Sequence, residues 1–198
     1  LPYDEISKKM RTSGVSSKGI QEVPVGSIVG SVNRYQDFSK DFLPLSDASR
    51  ERWARVKSVM TSPGSTGLPP IRVYQIGEVY FVLDGNHRVS IAREMGIETL
   101  EAYVTEIKTR VPLSPEDNAE DMIIKAEYSQ FLEQTKFDEI VPEKELKLTF
   151  PGQYQTLQEH IGVHRYFMGI EQSREISWED AVRHWYEHVY QPVVDVIH

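Results

Sequence analysis

A buried strand that runs directly into a helix is the feature that most constrains this chain. Val79–Leu83 is a continuous apolar run of strand length, and Gly85 follows it closely. Beyond the polar stretch Asp84–Arg88, apolar residues recur at helical spacing, and Gly96 stands where a helix C-terminal cap is expected. The pattern therefore predicts a polar cluster at the carboxyl end of a strand and the N-terminus of a helix.

The segments around this junction predict a small mixed sheet. Ile71–Ile76 reads as a strand, and the tight turn Gly77-Glu78 after it predicts an antiparallel hairpin with the buried strand. Thr99–Ile107 alternates apolar and polar residues, as a strand with one buried face does. Ile20–Val25 is another strand, which Pro24 places at an edge or an end of the sheet. The expected fold class is α+β.

The rest of the first half is expected to be helix and loop. Leu1–Arg11 fits a short helix, and the Ser- and Gly-rich stretch Thr12–Gly19 fits a loop. A helix capped by Ser46 or Asp47 should extend to Met60. Thr61–Pro70 is rich in Pro, Gly and Ser and predicts a long loop.

The last third is expected to be mainly helical. Ser114 caps a predicted helix that has proline at its first position, and Leu146–Phe150 is expected to be a short strand. Tyr154–Met168 and a segment capped by Ser177 predict two further helices. Pro192 is expected to end or kink the last of them.

Composition excludes several classes of function. The 198 residues carry a formal net charge of -8, which makes broad nucleic-acid binding unlikely, although a local basic patch stays open. The chain has no cysteine, which rules out disulfides, thiolate metal sites and cysteine nucleophiles and fits a cytoplasmic protein. No apolar run approaches the roughly 18 residues of a membrane span.

The residue types in Asp84–Arg88 fit a phosphate site. Gly85 lets a ligand approach the backbone closely, and N–H groups from Asn86 onward can donate to phosphate oxygens at the positive end of the helix dipole. Arg88 offers a planar guanidinium, and His87 can hold a phosphate or move a proton. Asp84 can orient Mg²⁺ or act as a base. The alternative is a structural turn in which Asp84 caps the helix and Arg88 pairs with an acid.

Gly26–Val32 and the residues after it have two interpretations. One is a turn and a short helix packed on the sheet. The other is a loop that faces the Asp84 cluster and contributes Ser31, Asn33 or Arg34 to the site.

Two histidine pairs stand one helical turn apart: His160 with His164, and His184 with His188. Such a pair can bind a metal ion when further ligands complete the shell. All four also border the apolar stripes of their helices, so packing is the commoner explanation. The aromatic residues Trp178, Trp185, Tyr186 and Tyr190 are expected to pack in a core.

From about Ile20 to Ile107 the chain resembles the ParB/sulfiredoxin superfamily. The resemblance rests on the edge strand Val23–Val25, the segment Leu68–Ile71, the hairpin, and Asp84–Arg88 opening a helix. It implies a ParB/sulfiredoxin-like domain over residues 20–110, preceded by a helix and loop (1–19) and followed by a helical extension (111–198).

The junction is most similar to that of the free serine kinases of this superfamily, whose Asp-Gly-x-His-Arg motif handles a nucleotide and its phosphoryl group. This resemblance implies Asp84 and His87 as catalytic residues and Mg²⁺ at Asp84. It implies a bound nucleotide (ATP, ADP or CTP) on Gly85, Asn86 and Arg88. Asn33 and Arg34 are expected opposite them.

The sequence departs from the family patterns in ways that restrict which activities of the superfamily can be expected. Sulfiredoxins have a cysteine at the position of Asn86, so that activity is excluded. Partition proteins carry a helix-turn-helix, and none is recognisable in this sequence. A kinase needs a catalytic base, and the nearest acidic residue that could serve as one is Asp37. Three hypotheses stay open: a phosphotransferase or nucleotide hydrolase, a non-catalytic nucleotide-sensing module, and DNA binding or cleavage of the partition-protein kind. The sequence does not indicate an oligomeric state.

Overall fold

The protein is described by a computed structural model that covers residues 3, 6, 14–32, 38, 39, 42, 43, 45–62 and 69–197. The chain divides into two compact units, residues 1–122 and residues 123–198. A long helix contains the boundary between them. Among the described residues, no helix is long and apolar enough to cross a membrane.

The first unit contains five strands and two complete helices among its described residues, and the second is helical. The strands are β1 (Gly14–Pro24), β2 (Ile28–Ser31), β3 (Ile71–Ile76), β4 (Val79–Asp84) and β5 (Thr99–Lys108). The helices are α1 (Asp47–Thr61), α2 (Asn86–Glu94), α3 (Ala119–Thr135), α4 (Phe137–Ile140), α5 (Gln153–Gln172), α6 (Trp178–Trp185) and α7 (Gln191–Ile197). A 3₁₀ turn (Val25–Ser27) joins β1 to β2, and a π-helix (Tyr186–Tyr190) joins α6 to α7.

The five strands form one mixed sheet in the order β1-β5-β3-β4-β2. β3 and β4 are the predicted antiparallel hairpin, whereas β3 runs parallel to β5 and β2 runs parallel to β4. β1 pairs antiparallel with β5 at one edge of the sheet, and Pro24 is the last residue of β1. This agrees with the expectation that Pro24 lies at an edge or an end of the sheet. The expected α+β class with a small mixed sheet is confirmed.

One face of the sheet carries the core of the first unit. Alternate side chains of β3, β4 and β5 point to this face, where α2 covers them, as the twofold periodicity of strands requires. The buried residues of this core are Val23, Ile28, Phe42, Ile71, Val73, Val82, Val89, Ala102 and Val104. This core positions the carboxyl end of β4 and the first turn of α2.

Two strand predictions in the first half were incomplete. Residues 14–19 belong to β1 rather than to a loop, because β5 supplies a complete antiparallel partner for them and Gly19 (φ 72°) accommodates a bulge. The stretch from Gly26 contains β2 rather than a short helix, since the edge of β4 pairs with it. Of the predicted N-terminal helix, Tyr3 and Ile6 are helical, and its other residues lie outside the described part.

Two predictions in the last third were wrong. The helix expected at Ser114 begins at Ala119, because Asn118 Oδ1 accepts the N–H groups of Glu120 (2.7 Å) and Asp121 (3.1 Å) and so caps it. Residues 146–150 are not a strand, since no other described segment pairs with them.

Pro192 does not end the last helical segment. α7 continues past it to Ile197, and the five residues Tyr186–Tyr190 immediately before are π-helical. A proline in a helix clashes with the carbonyl four residues earlier, and a wider π turn in front of it relieves that clash.

The second unit is built around aromatic side chains. Trp185 and Tyr186 are buried, as expected, and Phe137 lies edge-on to Tyr186 with ring centroids 5.5 Å apart. Ser177 caps α6 as predicted, because its Oγ accepts the N–H of Asp180 at 3.0 Å.

Candidate functional site

The turn between β4 and α2 depends on Gly85. Its φ of 112° and ψ of 19° lie in the left-handed region, which residues with a side chain rarely adopt. A Cβ at this position would stand 2.9 Å from Ile71 Cβ and 3.2 Å from Arg88 Nε. Glycine is therefore required both for the conformation and for the close packing of β3 against the junction.

No described side chain caps the N-terminus of α2. Gly85 occupies the capping position and has no side chain to offer, and the first helical hydrogen bond is Val89 N–H to Gly85 C=O at 3.0 Å. The N–H groups of the first turn, from Asn86 to Arg88, consequently have no acceptor within the helix. With the helix dipole, they form a site that favours an anion.

A cavity of about 90 Å³ lies at this helix terminus. Since a water molecule takes up roughly 30 Å³ of liquid, the cavity has the size of a phosphate group rather than of a whole nucleotide. Its described lining comprises Val56, Leu83, Asp84, Gly85, Asn86, His87 and Arg88. The five consecutive residues predicted from the sequence thus surround one cavity.

Asn86 lines this cavity with a buried polar side chain. The whole Asn86 residue is 4% exposed, and its Oδ1 has no hydrogen-bond partner among the described residues. A buried acceptor without a donor costs about 1–3 kcal/mol. A ligand that carries a hydroxyl or amine donor removes this cost when it binds.

Arg88 is held by protein groups at the rim of the cavity. Its Nη2 donates to Asp84 Oδ2 at 2.7 Å, and its Nη1 donates to the carbonyls of Pro69 and of Pro70 (3.2 Å for Pro70). The pairing of Arg88 with an acid, which the structural-turn interpretation predicted, is therefore present, whereas a cap on α2 is not. Through these hydrogen bonds Arg88 holds Pro69 and Pro70 next to the junction, and its guanidinium places a positive charge at the rim of the cavity.

The two predicted catalytic residues differ in environment. Asp84 is 65% exposed in its side chain and engaged with Arg88. His87 is 7% exposed, and its ring lies edge-on to Phe38 with centroids 5.0 Å apart. No local sequence pattern indicated Phe38, which lies 49 positions before His87 along the chain.

Ser31 lies near the junction because β2 runs parallel to β4. Ser31 pairs with Val82, and its hydroxyl donates to the carbonyl of Val82 at 3.3 Å. The chain therefore leaves β2 at the same edge of the sheet as Asp84. Asn33, Arg34 and Asp37, which were predicted near the site, lie outside the described residues.

A preformed magnesium site does not fit the described residues. Asp84 is the one carboxylate in the described lining, and Arg88 already binds its Oδ2. Within the described part of the chain, no group of three or more His, Cys, Asp or Glu side chains is placed to hold a metal ion. Magnesium at Asp84 remains a prediction.

The histidines of the second unit meet across helices. His164 Nε2 lies 2.9 Å from His184 Nδ1, so one residue of each predicted pair contacts the other pair. His184 and His188 stack with ring centroids 4.0 Å apart, and His188 Nδ1 donates to the carbonyl of His184 at 3.1 Å. These contacts support the packing interpretation.

This histidine cluster predicts a loss of stability in mild acid. Burial, followed by the charges of His184 and His188, lowers the pKa of His164, against a smaller opposing effect of Glu171. The unfolded chain, with a histidine pKa of about 6.5, then binds the proton more tightly than the folded chain, so the free energy of unfolding falls as the pH drops through this value. Urea unfolding between pH 7.5 and 5.5 measures this slope.

His164→Gln and His160→Gln form a matched pair for this test, since both lie on α5 and His160 is exposed. We expect His164→Gln to flatten the pH dependence and His160→Gln to change it only slightly, because the charge of His160 contributes least to the lowered pKa of His164. Equal slopes in all three proteins would contradict the assignment to His164.

Comparisons with known proteins give similarity at the level of structure. No protein-family model matches the sequence, and no functionally curated protein matches it. Sulfiredoxin from Arabidopsis thaliana is similar with 23% identity and a TM-score of 0.33, covering 45% of this chain and 86% of its own. The C-terminally truncated chromosome-partitioning protein ParB from Caulobacter crescentus, complexed with CTP-gamma-S, is similar with 14% identity and a TM-score of 0.33, covering 90% of this chain and 84% of its own.

The described part of the chain forms an α+β fold, and the solved structures similar to it include a sulfiredoxin and a ParB protein.

Proposed function

We propose that this protein binds a nucleotide through a phosphate group at the N-terminus of α2. The observation that supports this best is the uncapped helix terminus, which opens onto a phosphate-sized cavity at the carboxyl end of β4. The first-turn N–H groups of Asn86 and Arg88 and the helix dipole favour an anion there, and Gly85 lets it approach the backbone.

The side chains around the cavity suggest how the nucleotide is held. Phosphate oxygens accept hydrogen bonds from the first-turn N–H groups, and Asn86 Oδ1 accepts one from a protonated phosphate oxygen. Arg88 adds positive charge at the rim while it keeps Pro69 and Pro70 in place. The sugar and base extend beyond the cavity, since about 90 Å³ accommodates a phosphate group alone.

Phosphoryl transfer or hydrolysis is the catalytic form of this proposal, with Asp84 and His87 as the catalytic residues. In either reaction the bond from the terminal phosphorus to its bridging oxygen breaks, and a bond to an acceptor hydroxyl or to water forms. The acceptor's proton leaves to a base. The Asp84–Arg88 ion pair favours the alternative, a non-catalytic nucleotide sensor, because it occupies the one carboxylate in the described lining.

A thermal-shift experiment tests nucleotide binding. ATP, ADP, CTP and GTP are compared with and without Mg²⁺, and a bound nucleotide at about a hundred times its dissociation constant should add about 2.7 kcal/mol of stability. We expect Asn86→Asp to weaken binding at least about tenfold, because it places a negative charge in the anion cavity. If no nucleotide and no inorganic phosphate raises the melting temperature, the proposal is wrong.

Asn118→Asp is the matched control for this variant. It makes the same change of charge at a helix N-terminus of the same unit, and aspartate is as good a cap as asparagine. We expect its affinity for nucleotide to match that of the parent. Equal weakening by both variants would show an effect of net charge rather than of the cavity.

Product analysis separates the catalytic form from the sensor. Parent protein and His87→Ala are incubated with the bound nucleotide, with and without free serine as an acceptor. Turnover that the His87 variant loses while it stays folded supports catalysis. Binding without turnover supports the sensor.

A further inference from the structure

The described residues cover the second face of the sheet in the first unit only partly. Tyr3 packs on this face, with its ring centroid 5.2 Å from that of Tyr74 and 5.4 Å from that of Phe81, and Ile6 is fully buried. Further along the same face, Tyr103 is 49% and Val15 is 64% exposed. An open groove remains between the covered half and the edge strand β1.

This groove has the dimensions of a small-molecule site. Its volume is about 530 Å³, within the roughly 300–1,000 Å³ of ligand pockets. The side chains that line its floor and sides include Val15, Ser17, Arg72, Leu83, Tyr103 and Thr105. The groove combines apolar surface with the phenol ring of Tyr103, the hydroxyls of Ser17 and Thr105, and the positive charge of Arg72.

Arg72 gives the groove an uncompensated positive charge. Among the described residues its guanidinium has no hydrogen bond and no ion pair, and its strand neighbours are Tyr103 on β5 and Asp84 on β4. Asp84 is bound by Arg88. Asp84 therefore already has a cationic partner, and Glu101, on the same face of β5 as Tyr103, makes no ion pair with Arg72. Arg72 is left to pair with a ligand anion.

The neighbours of Arg72 restrict the shape of that ligand. Tyr103 presents a half-exposed ring beside it, and Val15 and Leu83 supply apolar contact. A planar aromatic ring packs against such surfaces, while a carboxylate accepts two parallel hydrogen bonds from a guanidinium. We propose that this groove binds a small aromatic carboxylate, with the carboxylate on Arg72 and the ring against Tyr103 and Leu83.

Titration of the full chain with 2-naphthoate tests this proposal, followed by calorimetry or by NMR. We expect binding with a dissociation constant of about 1 mM or tighter, and at least about tenfold weaker binding of the neutral 2-naphthamide. Arg72→Gln and Tyr103→Ala should each weaken the binding of 2-naphthoate about tenfold. Both positions are exposed, so the unliganded melting temperature should stay close to that of the parent.

Two controls keep this test independent of the nucleotide site. Arg55→Gln removes one exposed positive charge from α1 outside the groove and should leave naphthoate binding unchanged. Asn86→Asp, which is directed at the phosphate cavity, should also leave it unchanged. Absence of binding, or binding that Arg72→Gln does not affect, would overturn the proposal. Tyr103-dependent binding of oligothymidylate without any binding of naphthoate would overturn it in favour of a nucleic-acid surface.

Discussion

Gly85→Ala is expected to lower the free energy of unfolding of the first unit by about 2–5 kcal/mol. An alanine at φ 112° costs about 1–3 kcal/mol in backbone strain. Its Cβ would also collide with the side chain of Ile71, 2.9 Å from Ile71 Cβ, and overpacking of this kind costs about 1–3 kcal/mol. Urea unfolding of the full chain measures the change, and hydrogen exchange of β3 and β4 peptides locates it.

Alanine substitutions at two other glycines separate the cost of backbone strain from the cost of steric collision. Gly96 has a φ of 66° with open space around a Cβ, so Gly96→Ala should cost about 1–2 kcal/mol from strain alone. Gly26 has open space and no left-handed φ, so Gly26→Ala should leave stability unchanged or raise it by about 0.5–1 kcal/mol. If Gly85→Ala costs no more than Gly96→Ala, the close packing of Ile71 on the junction is not what requires glycine.

Trp185→Ala is expected to destabilise the second unit by about 3–5 kcal/mol. The side chain is 1% exposed at the end of α6, and its ring packs on Tyr190 with centroids 5.4 Å apart. Truncation removes a large buried apolar surface and leaves a cavity that the surrounding helices can fill only in part. Hydrogen exchange of α5 and α6 peptides should rise strongly, and urea unfolding gives the magnitude.

Trp185→Phe tests the contribution of the buried indole N–H separately from that of the aromatic ring. Trp185 Nε1 is buried without a hydrogen-bond partner among the described residues, and such a group costs about 1–3 kcal/mol. Phenylalanine removes that cost while it keeps an aromatic ring, so the net loss should be about 0–2 kcal/mol. A loss as large as that of the alanine variant would mean that the indole N–H is satisfied in solution.

Much of the candidate site is readable from the sequence because it is local. Asp84–Arg88 are consecutive, and a strand that ends at a glycine before a helix places them around one helix terminus wherever the rest of the chain lies. Asp84 and Arg88 stand four positions apart, a spacing at which side chains meet next to a helix, and their ion pair follows from it. The hairpin of β3 and β4 and the final cap at Ser177 were likewise predictable from local patterns.

Contacts between distant segments were not predictable in this way. Residues 14–19 carry little apolar periodicity, and they are a strand because β5 offers them a partner. Asn118 rather than Ser114 caps α3 because its side chain reaches the free N–H groups, which depends on where the turn before it ends. Phe38 beside His87, and Pro69 and Pro70 on Arg88, lie far from the junction in sequence.

The sequence by itself determined a strand-to-helix junction with an anion-favouring helix terminus, since periodicity and glycine placement act over a few residues. Tertiary structure decided what surrounds that junction. It brought the Pro69 and Pro70 carbonyls to Arg88, and it placed His164 against His184. It also buried Asn86 Oδ1 without a hydrogen-bond partner among the described residues. It also left Arg72 beside Tyr103 in an open groove, because β3 and β5 pair in a register that no local pattern encodes.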